Sequence, residues 1–198
     1  MNPQIKEVAS HLAQSWGCAT LVPDLYRGQV ATDHEHAGHL MNGLNWPGAV
    51  EDVRAAAIWL QQKGGYKKVG VMGFCMGGAL TVASSVLIPE IAAASAFYGI
   101  CPKALANPAL AKAPIQLHFA EKVSFHFEIV FISTSFFIYA SWLGVNQDEY
   151  KGFADIPSAR ALAATLTTAR ATHELHEYVY YLINFNSKPK CCLIYRFV

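Results

Sequence analysis

The sequence has no marked excess of charge of either sign, because 15 lysines and arginines balance 14 aspartates and glutamates among its 198 residues. This balance leaves no electrostatic footprint for nucleic acid or for an anionic membrane surface. The first stretch, MNPQIKEVASHLAQSW, carries acidic and polar residues and lacks the apolar run of about 7–15 residues that a secretory signal requires. We therefore expect neither a nucleic-acid partner nor secretion.

Cysteine usage excludes a disulfide framework and the common zinc motifs. Five cysteines, an odd number, without such spacing are typical of a protein in a reducing compartment. We therefore expect a cytoplasmic protein that holds no cofactor. The spacing H-x-H-x-x-H in the polar loop from Tyr26 to Asn45 is a weak signal for a metal site. The pattern of this loop favours an exposed surface segment instead. The cysteines are Cys18, Cys75, Cys101, Cys191 and Cys192, and the three histidines are His34, His36 and His39.

The most informative stretch runs from Lys67 to Val86 and reads KKVGVMGFCMGGALTVASSV. Its apolar run from Val69 to Met72 is typical of a buried strand. A G-x-C-x-G turn follows from Gly73 to Gly77, and an apolar helix opens at Gly78. This order predicts a nucleophile elbow with Cys75 in the position that serine takes in the commoner version.

The elbow has physical requirements that these residue types meet. Small residues are needed two positions either side of the nucleophile, where side chains would collide with the strand or the helix. The helix start favours a thiolate at Cys75, and the N–H of Met76 is placed to donate to an oxyanion. The competing interpretation is a buried structural cysteine beside a glycine-rich turn.

The remaining pattern alternates helices with short apolar strands. Such repetition around an elbow predicts a single α/β domain over 1–198, with a mostly parallel sheet and helices on both faces. Predicted helices are Pro3–Trp16, a short one near His39–Leu44, Pro47–Gln62 and Pro157–Ala171, with a helical turn near Ala104–Ala106; predicted strands are Cys18–Val22, Ile91–Tyr98, Pro114–Phe119 and His173–Tyr178.

Several segments together resemble the dienelactone hydrolase family of α/β-hydrolases. They are VPDLYRG from Val22, EDVRAAAIWL from Glu51, KVGVMGFCMGGAL from Lys68, FYGI from Phe97 and PIQLHFAEK from Pro114. The resemblance implies a Cys-Asp-His triad, with Cys75 as nucleophile, and a small lactone or ester as substrate. It also implies strands before the first helix, so we expect an incomplete fold whose N-terminal strands are missing.

In that family the triad aspartate directly follows the strand that ends in a motif like HFGEKD. Here Lys122 precedes an apolar segment rich in Phe, Ile and Ser, and Asp148 comes after it. Removing residues 123–147 would join Lys122 to Asp148 and restore the family pattern. The resemblance thus assigns the triad acid to Asp148, and we hypothesise that 123–147 is an aberrant insertion from a retained intron.

An alternative for the same region is membrane attachment. Residues 129–147 form an uncharged span of 19 residues, which is long enough to cross a bilayer. Polar residues dilute the span, and no Lys or Arg closely flanks its start, so the pattern argues against this alternative.

The triad histidine has no counterpart. His173 and His176 lie within the last predicted strand, on opposite faces if it is regular, and no histidine follows His176. Residues 179–198 form a tail unlike the family. We therefore expect a dienelactone hydrolase-like protein with little or no activity as written, the alternative being a non-catalytic binding protein of the same fold. His118 is expected to be a packed histidine at a strand end.

Overall fold

The computed structural model describes residues 3–120, 127–132, 135–140, 155–178 and 191–195. Helices and strands alternate along most of this length. The helices are α1 (Pro3–Trp16), α2 (His34–Asn42), α3 (Trp46–Gln62), α4 (Met76–Leu87) and α5 (Ile156–Thr168), with a short 3-10 helix at Pro108–Leu110. The strands are β1 (Ala19–Leu21), β2 (Val69–Phe74), β3 (Ile91–Phe97), β4 (Ile115–Ala120), β5 (Phe127–Ile132), β6 (Ser135–Ala140), β7 (His173–Tyr178) and β8 (Cys191–Tyr195).

Six strands form one sheet in the order β1-β8-β2-β3-β4-β7. Every neighbouring pair is parallel, which confirms the predicted mostly parallel α/β sheet. All six residues of β2 are buried, as a central strand covered on both faces requires. The carboxyl ends of the strands meet at one edge of the sheet, and the elbow lies there.

Two helices form as their apolar spacing predicts. In α1 the buried positions include Ile5, Val8 and Leu12, which recur on one helical face. Asn45 caps α3, because its side chain accepts the Gly48 N–H at 3.1 Å, and this satisfies one of the free donors of the first turn. The buried residues of α3 are Ala49, Val50, Val53, Ala56, Ala57 and Leu60.

The short helix in the polar loop begins earlier than the sequence predicts. It starts at His34 rather than near His39, because Asp33 acts as an N-cap and its carboxylate accepts the His36 N–H at 2.8 Å. The predicted helical turn near Ala104–Ala106 is present, because the N–H groups of Leu105 and Ala106 donate to the Pro102 carbonyl at 2.9 and 3.3 Å, and a separate 3-10 helix follows at Pro108–Leu110. Within the described ranges, no three His, Cys, Asp or Glu side chains form a group that could hold a metal ion.

The described parts of the apolar segment form a separate antiparallel hairpin. Strands β5 and β6 pair with each other, with Phe127 opposite Ala140 and Ile132 opposite Ser135, and they do not join the six-stranded sheet. These residues are therefore strands and not the spanning helix that the alternative requires. Across the described parts of the chain, no helix is both long enough and apolar enough to cross a membrane.

The C-terminal strand β8 is the main surprise of the sheet. It lies between β1 and β2 and pairs with both, with Cys191 opposite Ala19 and Leu193 opposite Val71. The sequence pattern predicts no strand in the tail 179–198, because a short apolar run gives no information about a partner so distant along the chain. Among the described strands, β1 meets the rest of the sheet only through β8.

A proline at the centre of β8 tests this placement. Leu193→Pro removes an N–H from a strand paired on both sides, and we expect the free energy of unfolding to fall by about 3 kcal/mol or more. Leu193→Val keeps the N–H and serves as the matched control. Urea unfolding followed by circular dichroism measures both, and equal midpoints for the two variants would contradict the central position of β8.

Candidate active site

Cys75 occupies a single-residue junction between strand and helix. Strand β2 ends at Phe74 and α4 begins at Met76, so the turn is tighter than the predicted Gly73–Gly77 segment. Cys75 has φ 55° and ψ −118°, a conformation that costs a non-glycine residue about 1–3 kcal/mol. The chain therefore adopts the strained strand-turn-helix geometry of a nucleophile elbow.

Glycines beside the junction permit backbone contacts that no side chain would allow. A Cβ on Gly73 would collide with the Gly77 carbonyl group, and a Cβ on Gly78 would collide with the Phe97 carbonyl oxygen. Because these obstacles are backbone atoms, a larger residue would force strand and helix apart. The steric requirement expected two positions before Cys75 is thus met at Gly73, and Gly78, three positions after it, is restricted in the same way.

Hydrogen bonds hold the strained residue from both sides. The Cys75 N–H donates to the Phe97 carbonyl on β3 at 2.9 Å, and the Cys75 carbonyl accepts the Ala79 N–H of α4 at 3.1 Å. The first N–H groups of a helix have no carbonyl partner within it, and they give its start a partial positive charge. Cys75 lies directly at this start.

The three cysteines whose surroundings are described differ in accessibility. Cys18 and Cys101 are buried, whereas Cys75 is partly exposed. Burial raises the pKa of Cys101 to about 11 and also raises the pKa of Cys18. The thiols of both buried residues point at backbone carbonyls, Cys18 toward Leu12 and Cys101 toward Pro102. Among these three cysteines, only Cys75 is both partly exposed to solvent and located at the start of a helix.

Tyr26 is a neighbour of Cys75 that the sequence pattern does not predict as a site residue. Its hydroxyl lies 3.5 Å from the Met76 sulfur. Burial, together with the charge that Cys75 can carry, raises the pKa of Tyr26 to about 12, so the phenol stays protonated at neutral pH. The signal that could have found it is its place just past the carboxyl end of β1, at the sheet edge that carries Cys75.

The loop that presents Tyr26 is fixed by its own polar groups. Asp24 accepts the Gly28 N–H at 2.7 Å and the Tyr26 N–H at 3.2 Å. Arg27 has φ 52°, and its guanidinium donates to both carboxylate oxygens of Asp52 on α3 at 3.2 Å. These hydrogen bonds therefore fix the backbone of the loop and connect the loop to α3.

His118 and His176 take part in ring stacking toward the carboxyl end of the sheet. The His118 ring stacks on Phe97 with centroids 4.3 Å apart and on His176 with centroids 4.9 Å apart. Burial, and secondly the nearby His176, lower the pKa of His118 to about 3. His173 instead contacts Thr167 of α5, so the two histidines of β7 lie on opposite faces, as predicted. His118 is the packed strand-end histidine that the sequence predicts.

The other expected site residues have different outcomes. Met76 is the first residue of α4 and is buried, which places its backbone directly after the cysteine; its role as an oxyanion donor stays a prediction. Asp148 lies outside the described residues, so its role as the triad acid also stays a prediction.

A glycine pair tests the close packing at the elbow. Gly78→Ala places a methyl group against the Phe97 carbonyl, and we expect loss of about 2 kcal/mol or more in the free energy of unfolding. Gly38→Ala on α2 has open space around the new methyl group and should instead stabilise the helix by up to about 1 kcal/mol. Urea unfolding measures the stability of both variants. Equal stability of Gly78→Ala and Gly38→Ala would contradict close packing at Gly78.

The buried imidazole of His118 predicts a specific pH dependence of stability. An unfolded chain binds a proton at this residue below about pH 6.5, whereas the folded chain does so only below about pH 3. Stability from this residue is therefore lost as the pH falls through that window, by about 1.4 kcal/mol per pH unit. His118→Phe should remove this contribution, as urea unfolding between pH 3.5 and 7 will show. Identical slopes for the variant and the parent chain would contradict a buried neutral imidazole.

Comparison with known proteins agrees with this geometry. The family model described as "Dienelactone hydrolase family" matches residues 1–127. The "Putative carboxymethylenebutenolidase" of Aquifex aeolicus (strain VF5) is 35% identical over 127 residues, which make up 61% of this chain and 54% of that protein. The "Carboxymethylenebutenolidase homolog" of Mus musculus is 29% identical over 102 residues, 50% of this chain and 41% of that protein.

A solved structure shows the shared fold. The "Putative Dienelactone Hydrolase" of Klebsiella pneumoniae subsp. pneumoniae MGH 78578 superimposes with a TM-score of 0.62 at 19% identity, covering 89% of this chain and 68% of that one. The chain spans about half the length of the curated relatives it matches. With the matched family region covering more than half of its residues, the chain belongs to the dienelactone hydrolase family, within the α/β-hydrolase superfamily.

Proposed function

We propose that this chain carries the nucleophile of a hydrolase that acts on a small lactone or ester, with Cys75 as the attacking group. The observation that carries the proposal is the strained Cys75 backbone between β2 and α4. Strain of this kind persists only where surrounding structure holds it, and it is concentrated at functional sites. The carboxymethylenebutenolidase names of the relatives support a cyclic ester as the substrate class.

The first half of the reaction follows from the elbow. The Cys75 thiolate attacks the carbonyl carbon and forms a carbon–sulfur bond, while the carbonyl π electrons move to oxygen. The Met76 N–H donates to this oxyanion. When the oxyanion collapses, the carbon–oxygen bond to the leaving alkoxide breaks, and a thioester on Cys75 remains. A lactone ring would open in this step, leaving both fragments attached as one acyl group.

The second half needs a base that activates water, and this requirement determines the expected activity. In the family design a histidine, oriented by the residue matching Asp148, performs this step. The rings of His118 and His176 are stacked on each other in the sheet, and residues 177–198 contain no histidine. We therefore propose that turnover is slower than in a complete triad by about 1,000-fold or more.

The same proposal covers domain organisation. The single α/β-hydrolase domain spans 1–198, residues 123–147 are an insertion within it, and 179–198 is a tail outside the family pattern. A non-catalytic binding protein of the same fold is the second candidate, and the histidine placement is the observation that favours it. The two candidates differ in one property, which is whether the Cys75 thiol is activated.

Alkylation by iodoacetamide against pH separates them. An activated Cys75 should react with a midpoint below the value of about 8.5 for an ordinary thiol, because the helix start favours the thiolate. Cys75→Ser should remove the fast reaction and any release of p-nitrophenol from p-nitrophenyl acetate. Cys101→Ser, which changes a buried thiol, should leave both unchanged. An ordinary midpoint for Cys75 with no p-nitrophenol release would reject the hydrolase in favour of the binding protein.

A further inference from the structure

Four aromatic rings form a continuous ladder across the sheet, with one ring on each of four neighbouring strands. Phe74, Phe97, His118 and His176 are directly opposite one another in the strand register. Successive ring centroids lie 4.8, 4.3 and 4.9 Å apart, with interplanar angles of 23°, 9° and 8°. Directly opposed side chains on neighbouring strands are close enough to fix each other's orientation. The ladder therefore couples β2, β3, β4 and β7 at their carboxyl ends.

The backbone next to the ladder repeats one arrangement on two strands. Cys75 follows the ring residue Phe74, has φ 55°, and donates its N–H to the Phe97 carbonyl at 2.9 Å. Tyr98 follows the ring residue Phe97, has φ 40°, and donates its N–H to the His118 carbonyl at 2.8 Å. In both cases a strained residue is held by the carbonyl of the next ring residue.

These contacts leave little freedom around Cys75. A Cβ on Gly99 would collide with the Cys75 carbonyl oxygen, just as a Cβ on Gly78 would collide with that of Phe97. The end of β3 thus lies against the elbow itself. The ring in the ladder and the carbonyl that accepts the Cys75 N–H belong to the same residue, Phe97.

His118 is one of the two inner rings of the ladder. It contacts Phe97 on one side and His176 on the other, and it is buried. An imidazole in this position packs as a flat ring, and its low pKa of about 3 keeps it uncharged. His176 at the outer end is partly exposed, and its Nε2 lies 3.2 Å from a carboxylate oxygen of Glu174.

We propose that His118 is a positioning residue for Cys75. Its flat ring, held between Phe97 and His176, fixes the Phe97 and His118 carbonyls, and these hold Cys75 and Tyr98 in left-handed backbone. His118 does not touch a substrate in this role. The consequence for hydrolysis rests on the proposed function of Cys75, whereas the effect on the backbone does not.

The test compares a flat replacement with a branched one. His118→Phe keeps a planar ring, and the rate constant for alkylation of Cys75 should stay within about twofold of the parent chain. His118→Leu keeps an apolar side chain without a ring, and the rate should fall about tenfold because the thiol is misplaced. Hydrogen–deuterium exchange provides the second measurement, and the amides of Cys75 and Tyr98 should exchange faster in His118→Leu only.

Each outcome decides the proposal. Equal alkylation rates and equal exchange in the two variants would overturn it, even if His118→Leu unfolds at lower urea. If His118→Leu does not fold, His176→Leu against His176→Phe at the partly exposed end of the ladder provides the same comparison. A slower rate in His176→Leu alone supports the proposal, and equal rates reject it. An unactivated Cys75 in the parent chain would instead reject the proposed function, and amide exchange would still report on the ladder.

Discussion

The hydrogen bond from the Cys75 N–H to the Phe97 carbonyl links the strained residue of the elbow to the neighbouring strand. Left-handed backbone at a cysteine is unfavourable, so it persists because neighbouring groups restrict it. The glycines at positions 73, 78 and 99 allow three segments of backbone to approach closely, and the helix that follows ties the Cys75 carbonyl to Ala79. Strain, close packing and the start of α4 are thus parts of one arrangement that presents a thiol.

The parallel sheet explains why the relevant groups come together. Strands that run in one direction place all their carboxyl ends at one edge, where ligands of open α/β sheets bind. Tyr26 follows β1, Cys75 follows β2 and Tyr98 follows β3, although up to about 70 residues separate them in the sequence. The aromatic ladder runs beneath the same edge. The sheet therefore supports the elbow from neighbouring strands as well as from α4.

Local sequence signals predicted most of the described fold. Periodic apolar residues placed α1, α3 and β7 correctly, and the glycine spacing located the elbow at Cys75. Three features that depend on long-range contacts do not follow from local sequence signals. Strand β8 pairs with residues about 120 and 170 positions away, the ladder needs the exact register of four strands, and Tyr26 approaches Cys75 only in the folded chain. The start of α2 at His34 depends on the Asp33 cap, a local signal that apolar spacing does not carry.

The proposed function, which rests on the family assignment and the elbow geometry, requires that Cys75 form a covalent bond with an ester carbonyl carbon. Mass spectrometry of the chain after incubation with p-nitrophenyl acetate, followed by peptide mapping, tests it most directly. The slow deacylation proposed above predicts that an acetyl group accumulates on Cys75 and is absent from Cys18 and Cys101. An unmodified Cys75 in the folded chain would contradict it.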